Sequence, residues 1–230
     1  MVISILTTFL AYYFNIIFQV DLTLLSIAIV FPLVFAIRGS FRRREKALNH
    51  LSKFRSALQT VHYFVVSNAE LSENSKEEMT DILVEISEES LLHLAKKTIK
   101  TTQLDEIIDK VQGFINSREE IISSSLKDRI FKFMQDLHES IENLHAINIH
   151  RTPILLKAYC KFFIYIFPLI YAPAVIFNLG DYNSPIIAYA VVILTQFILI
   201  SLYNIQDQLE YPFDADGPDD IQLENFRFNR

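Results

Sequence analysis

Two regimes of hydrophobic patterning divide the chain. Residues 1–20, 22–37, 162–180 and 182–206, the last but for its final residues, read as apolar runs without charge, and a helix needs roughly 20 mostly apolar residues to cross a bilayer. The second run is short, but Arg38 can reach the interface with its long side chain while the helix continues past the lipid. The pattern predicts four transmembrane helices in two hairpins. The first hairpin turns at Gln19, Val20 and Asp21, and the second within 178–185, around Gly180 and Asp181. The first run has no basic leader and no small-residue cleavage pattern, and a second apolar run follows it at once, so it reads as a hairpin arm rather than a secretory signal.

Between the hairpins the period changes. Residues 40–152 contain no proline and one glycine, Gly113, with charges of both signs scattered evenly, which is a helical composition. Leu51, Phe54, Leu58, Val61 and Val65 recur at alternating spacings of three and four, so the second membrane helix is expected to run on as a long packing helix. Ser75 and Glu78 have capping-box spacing ahead of Met79, Ile82, Leu83 and Ile86. Thr102 and Asp105 repeat that signal ahead of Leu104, Ile107, Ile108 and Val111. A further helix offers Ile130, Phe133, Leu137, Ile141 and Leu144. These stripes predict the core of a helix bundle or a subunit interface. The expected fold is thus an all-α integral membrane protein: a first transmembrane hairpin over 1–38, a cytoplasmic helical region over 39–152, a second hairpin over 153–206 and an acidic tail over 207–230.

Charge orients this arrangement. Arg38, Arg42, Arg43, Arg44 and Lys46 follow the second span, Arg151, Lys157 and Lys161 precede the charge-free part of the third, and neither outer turn holds Lys or Arg. The positive-inside bias therefore places both termini and the middle region in the cytoplasm, with the plasma membrane or an organelle membrane as host.

Composition removes several functions. The chain is 51% hydrophobic with a formal net charge of −6, which argues against nucleic-acid binding. A lone cysteine, Cys160, excludes an intrachain disulfide and a multi-thiolate metal site. With four glycines and no glycine-rich phosphate loop, nucleotide binding has no support. Six histidines lie in predicted helices without a zinc-enzyme motif, and no span holds an acid, base or nucleophile set, so catalysis is not expected.

Two features invite a functional reading. Ile27, Phe31 and Phe35 fall at i, i+4 and i+8 on one face of the second span. They suit lipid contact or bundle packing; several copies around an axis would instead form a hydrophobic constriction that gates by dewetting. The tail from Asp207 to Asp220 is dense in carboxylates, including Asp214, Asp216, Asp219 and Asp220, and Gly217 and Pro218 force turns within it. That density suits a hard cation such as Ca2+, although the EF-hand spacing is incomplete, and a solvated acidic tail fits equally.

These residues resemble a bestrophin. Leu25 through Phe35, followed by Ser40, Phe41 and Arg43, is similar to the family's neck helix and the polar stretch after it. Arg151-Thr152-Pro153, then Leu209-Glu210-Tyr211-Pro212-Phe213 and Asp219-Asp220-Ile221-Gln222-Leu223, resembles the family's last two spans and acidic tail. The likeness covers residues 22–50 and 142–226. It implies a homopentameric channel, chiefly for anions such as chloride or bicarbonate, some bacterial relatives passing cations. By resemblance Ile27, Phe31 and Phe35 take the positions of three neck rings, and Arg42, Arg43, Arg44 and Lys46 lie near the inner mouth. Asp216, Asp219 and Asp220 are the candidate Ca2+ ligands. Calcium gating is not expected to carry over, since the family's clasp uses a segment before the first span, and no cofactor is required. Pro32 departs from the pattern by removing a backbone hydrogen bond inside the neck helix. A non-conducting, membrane-anchored helical interaction module is the rival reading, and self-association, lipid and small ions are the expected partners.

Overall fold

The computed structural model describes residues 1–96, 101–180, 184–217 and 219–229. Among them there is no strand, and seven α-helices carry the architecture: α1 (Val2–Tyr13), α2 (Thr23–Val66), α3 (Glu73–Ala95), α4 (Thr102–Asn116), α5 (Ser124–Ile149), α6 (Ile154–Leu179) and α7 (Pro185–Leu209), with a 3-10 turn at Leu223–Phe226. The chain divides into two compact units, a span unit of Met1–Arg42 with Thr152–Glu210 and a bundle unit of Arg43–Arg151 with Tyr211–Arg230.

In the span unit α1 packs against both α6 and α7, which also pack on each other. Small side chains let them approach: Ser4, Thr7, Thr8 and Ala11 of α1 are buried, as are Ala172 and Ala174 of α6 and Ala188 of α7. The hydroxyls of Thr7 and Thr8 donate back to the Ser4 carbonyl at 3.0 and 2.8 Å, which keeps two buried polar groups satisfied within α1. Ile29 and Leu33 of α2 join Cys160, Ile164, Phe167 and Leu199 in a second apolar cluster.

The expected first span of twenty residues is a helix of twelve. Asn15 adopts a left-handed backbone, φ 52°, and closes a Schellman end: Asn15 N–H donates to Tyr12 O at 3.3 Å and Ile16 N–H to Ala11 O at 2.9 Å. Twelve residues rise about 18 Å, against roughly 30 Å of hydrocarbon. Among the described residues, three helical stretches are long and apolar enough to cross a membrane: α2, the α5–α6 run, whose charge-free stretch lies in α6, and α7. Helix α6 ends at Leu179 with Gly180 as its C-cap, whose φ of 64° suits a residue without a Cβ. Asp181, the other expected turn residue there, lies outside the described residues.

The bundle unit is built on the second half of α2. Leu51, Phe54, Leu58, Val61 and Val65 are fully buried, and α3, α4 and α5 close over them through Met79, Leu83, Ile86, Leu104, Ile107, Val111, Ile130, Leu137, Ile141 and Leu144. Phe213, Ile221 and Phe228 of the tail belong to the same core. Helix α3 begins one turn earlier than the capping-box spacing suggests: Ser72 is the cap, its Oγ accepting from Ser75 N–H at 3.3 Å. Ser75, now inside the helix, accepts from Arg118 Nε at 3.1 Å, and Arg118 also pairs with Glu78. Helix α4 starts after Thr101, which makes no side-chain cap bond.

Candidate pore-lining face

Helix α2 runs 44 residues, and in each unit part of its surface is buried and part is exposed. In the span unit its buried residues include Ile29, Leu33, Ala36 and Ser40, and in the bundle unit Ala47, Leu51, Phe54, Leu58, Val61 and Val65, spaced by three and four residues within each unit. In the span unit the side opposite Ile29 and Leu33 is uncovered. Ile27, Phe31 and Phe35 are 46%, 57% and 60% exposed, and Leu24, Val30 and Val34 extend the same apolar surface. The rings of Phe31 and Phe35 lean on each other, centroids 5.9 Å apart at 56°. Past Phe35 this side turns polar, with Arg38, Arg42, Glu45 and Lys46 all exposed.

The four basic candidates therefore separate. Arg42 and Lys46 lie on the uncovered side, whereas Arg43 and Arg44 are half-buried. Arg44 is committed inside the bundle unit, its Nε donating to the Asp219 carbonyl at 2.8 Å.

The candidate cation ligands also separate. Asp216 and Asp219 are exposed and Asp220 is half-buried. Asp220 Oδ2 accepts from Gly217 N–H at 2.7 Å, an approach so close that a Cβ at position 217 would stand 3.1 Å from Asp220 Oδ1. Burial, with the Asp214 carboxyl alongside, pushes the Asp220 carboxyl above the ordinary carboxylate range despite that hydrogen bond. Among the described residues no three His, Cys, Asp or Glu side chains gather as an ion site. Pro218 lies outside the described residues.

The two family-like motifs at the ends of the second hairpin meet. In the span unit the buried Glu210 accepts from Thr152 N–H at 3.0 Å and from Gln206 Nε2 at 3.2 Å, and pairs with Lys157 Nζ at 2.7 Å, which also reaches Asp207 at 2.6 Å. In the bundle unit the Arg151 guanidinium lies 4.2 Å over the Tyr211 ring. A buried carboxylate is tolerated because it is paired and hydrogen-bonded on both oxygens.

Sequence reasoning missed the polar contacts around the prolines. Pro32 has no N–H, so the Ala28 carbonyl loses its partner four residues on, and Tyr159 Oη of α6 donates to it at 3.1 Å. Pro168 does the same to the Ile164 carbonyl, and the buried Gln196 of α7 donates to it through Nε2 at 3.0 Å. The proline positions flag the two carbonyls; nothing local in the sequence flags the donors.

Apolar helices of crossing length, packed through small residues and leaving one side of the longest helix bare, define a helical integral membrane protein. Its fold is that of the bacterial bestrophin homologues. Three structures of such a homologue from Klebsiella pneumoniae, two of them point variants, match at TM-scores of 0.81, 0.82 and 0.81 with 16%, 17% and 17% sequence identity. Each match covers 98% of this chain, and 92%, 91% and 90% of the homologue. No protein-family model matches the sequence, and no curated protein matches it. The bestrophin likeness read from the residues is thus borne out in three dimensions.

Proposed function

We propose that this chain is a bestrophin-like ion channel that assembles as a homopentamer and passes small anions, such as chloride or bicarbonate, through a hydrophobic neck lined by Ile27, Phe31 and Phe35. The observation that carries this reading is the bare apolar side of α2 in the span unit, set opposite the buried Ile29, Leu33 and Ala36. Five copies turned toward one axis would bring those side chains into stacked rings, where a narrow apolar passage empties of water unless it widens. Arg38 and Arg42 continue that side in the span unit, and with Glu45 offset by Lys46 just after them the field at the passage end is positive and favours anions over cations. The basic residues flanking α2 and α6 support cytoplasmic termini. Conduction in this reading is passive and needs no bound group.

Planar-bilayer recording under asymmetric KCl tests it, comparing the purified wild type with the combined Ile27→Ala, Phe31→Ala and Phe35→Ala variant. Wild-type currents reversing toward the chloride equilibrium potential are expected, with the variant easier to open or more conductive. Reversal toward the potassium potential would replace the anion by a cation. Silence from a folded, inserted wild type would favour the anchored interaction module instead.

A further inference from the structure

A bilayer interior offers no water to replace a lost backbone hydrogen bond, so each proline in a spanning helix creates a carbonyl that the protein must satisfy from elsewhere. Of the three prolines inside the span-unit helices, Pro32, Pro168 and Pro173, two have that carbonyl met by a side chain from a different helix: Tyr159 on the Ala28 carbonyl below Pro32, and Gln196 on the Ile164 carbonyl below Pro168. Only the first lies on α2. Ala28 directly follows Ile27, and Pro32 directly follows Phe31, so the repaired turn is the one that joins the first two of the three neck candidates. The Tyr159 ring is itself held, its centroid 4.5 Å from that of Phe163 one turn along α6. On the buried side of the same turn Ile29 and Leu33 pack with Cys160 and Ile164 of α6, so apolar contact fixes the spacing of the two helices while the hydroxyl adds a directional tie.

We infer that Tyr159 is a positioning residue of the neck: by capping the carbonyl that Pro32 leaves without a donor, it fixes how α2 turns through that point and hence where Ile27 and Phe31 are aimed. This rests on reading the bare face as a channel neck. A helix without the cap has a free carbonyl and one missing rung at a single point, which is where helices bend. With the cap in place, bending there requires breaking the Tyr159 bond, so the bond opposes re-aiming of the two side chains.

The dependence on Pro32 makes this testable with Tyr159→Phe, Pro32→Ala and the double variant. Pro32→Ala restores an N–H at position 32 that can bond Ala28 O, which makes the Tyr159 hydroxyl redundant. In single-channel recordings, Tyr159→Phe should shift the open-to-closed ratio by roughly 3- to 10-fold, the factor that one hydrogen bond of ordinary strength represents. Added to Pro32→Ala, it should shift that ratio by less than about 2-fold. Equal shifts in both backgrounds, or no shift in either, overturn the inference. Thermal unfolding of the four proteins in detergent separates this from the reading beneath it. If wild type carries no current, the neck reading fails by itself, and a Tm loss on Tyr159→Phe confined to the Pro32 background would leave the cap as a structural tie only. A Tm loss so confined, with currents present but the ratio unmoved, likewise overturns the positioning role.

Discussion

His93 and His145 face each other in the bundle unit, Nε2 of one 2.8 Å from Nδ1 of the other. Two neutral rings satisfy that distance with one proton between them, whereas two cations would set donor against donor. Burial, with His145 beside it, pushes the His93 imidazole below its usual range. Burial lowers His50 and His62 as well, and His62 meets the Phe228 ring edge-on at 5.2 Å. The sign follows from proton counting: below about pH 6.5 the unfolded chain takes up protons that the folded rings resist, so stability is present above that pH and is lost as pH falls through it. Unfolding by denaturant in detergent at pH 7.5 and pH 5 checks this. Wild type should unfold more easily at pH 5, and His93→Gln, which still offers a donor and an acceptor but does not titrate, should lose less between the two conditions.

Helices were the level at which the sequence spoke most clearly. The three-four spacing of Leu51 to Val65 predicts an uninterrupted α2 because a membrane helix that continues into a packing helix keeps one buried side throughout. Ends were harder. Ser72 and Ser75 are both of the residue type that caps helices, and the bond from Ser75 N–H to Ser72 Oγ shows that Ser75 lies inside α3. The end of α1 was hidden for another reason: in an apolar run Asn15 reads as one tolerated polar group, although its ease with a left-handed backbone makes it a stop. Asn15→Gly should therefore leave thermal stability within about 0.5 kcal/mol of wild type, while Asn15→Val should cost about 1–2 kcal/mol, because a β-branched side chain resists that backbone. Equal losses in the two variants would show that the Asn15 side chain, rather than its backbone, ends the helix.

For the whole molecule, pattern and charge were enough to read an all-helical membrane chain, and the residues near α2 and the tail carried the bestrophin likeness. The bare side of α2 was legible as a face because Ile27, Phe31 and Phe35 share a helical spacing. That this side stays uncovered was not, since lipid-facing, packed and pore-facing residues have one composition in a span. The ties by Tyr159 and Gln196 join positions 131 and 32 residues apart, beyond the reach of any local pattern. An uncovered apolar side on α2 in the span unit is what self-assembly would use. Native mass spectrometry after gentle solubilisation should accordingly give five copies, and a monomer would leave the rings unformed and the channel reading without a structure.

The tail gives the molecule an order of manufacture. Phe213, Ile221 and Phe228 sit in the bundle core, Arg55 Nε donates to the Arg227 carbonyl at 3.1 Å, and Phe228 N–H donates to Ser87 Oγ at 3.0 Å. All three core residues are translated after α6 and α7, whereas the helices they pack against are translated before. The ribosome thus delivers the rest of that core first and its last three members only once α6 and α7 have been made, so the bundle stays incomplete until the tail is synthesised.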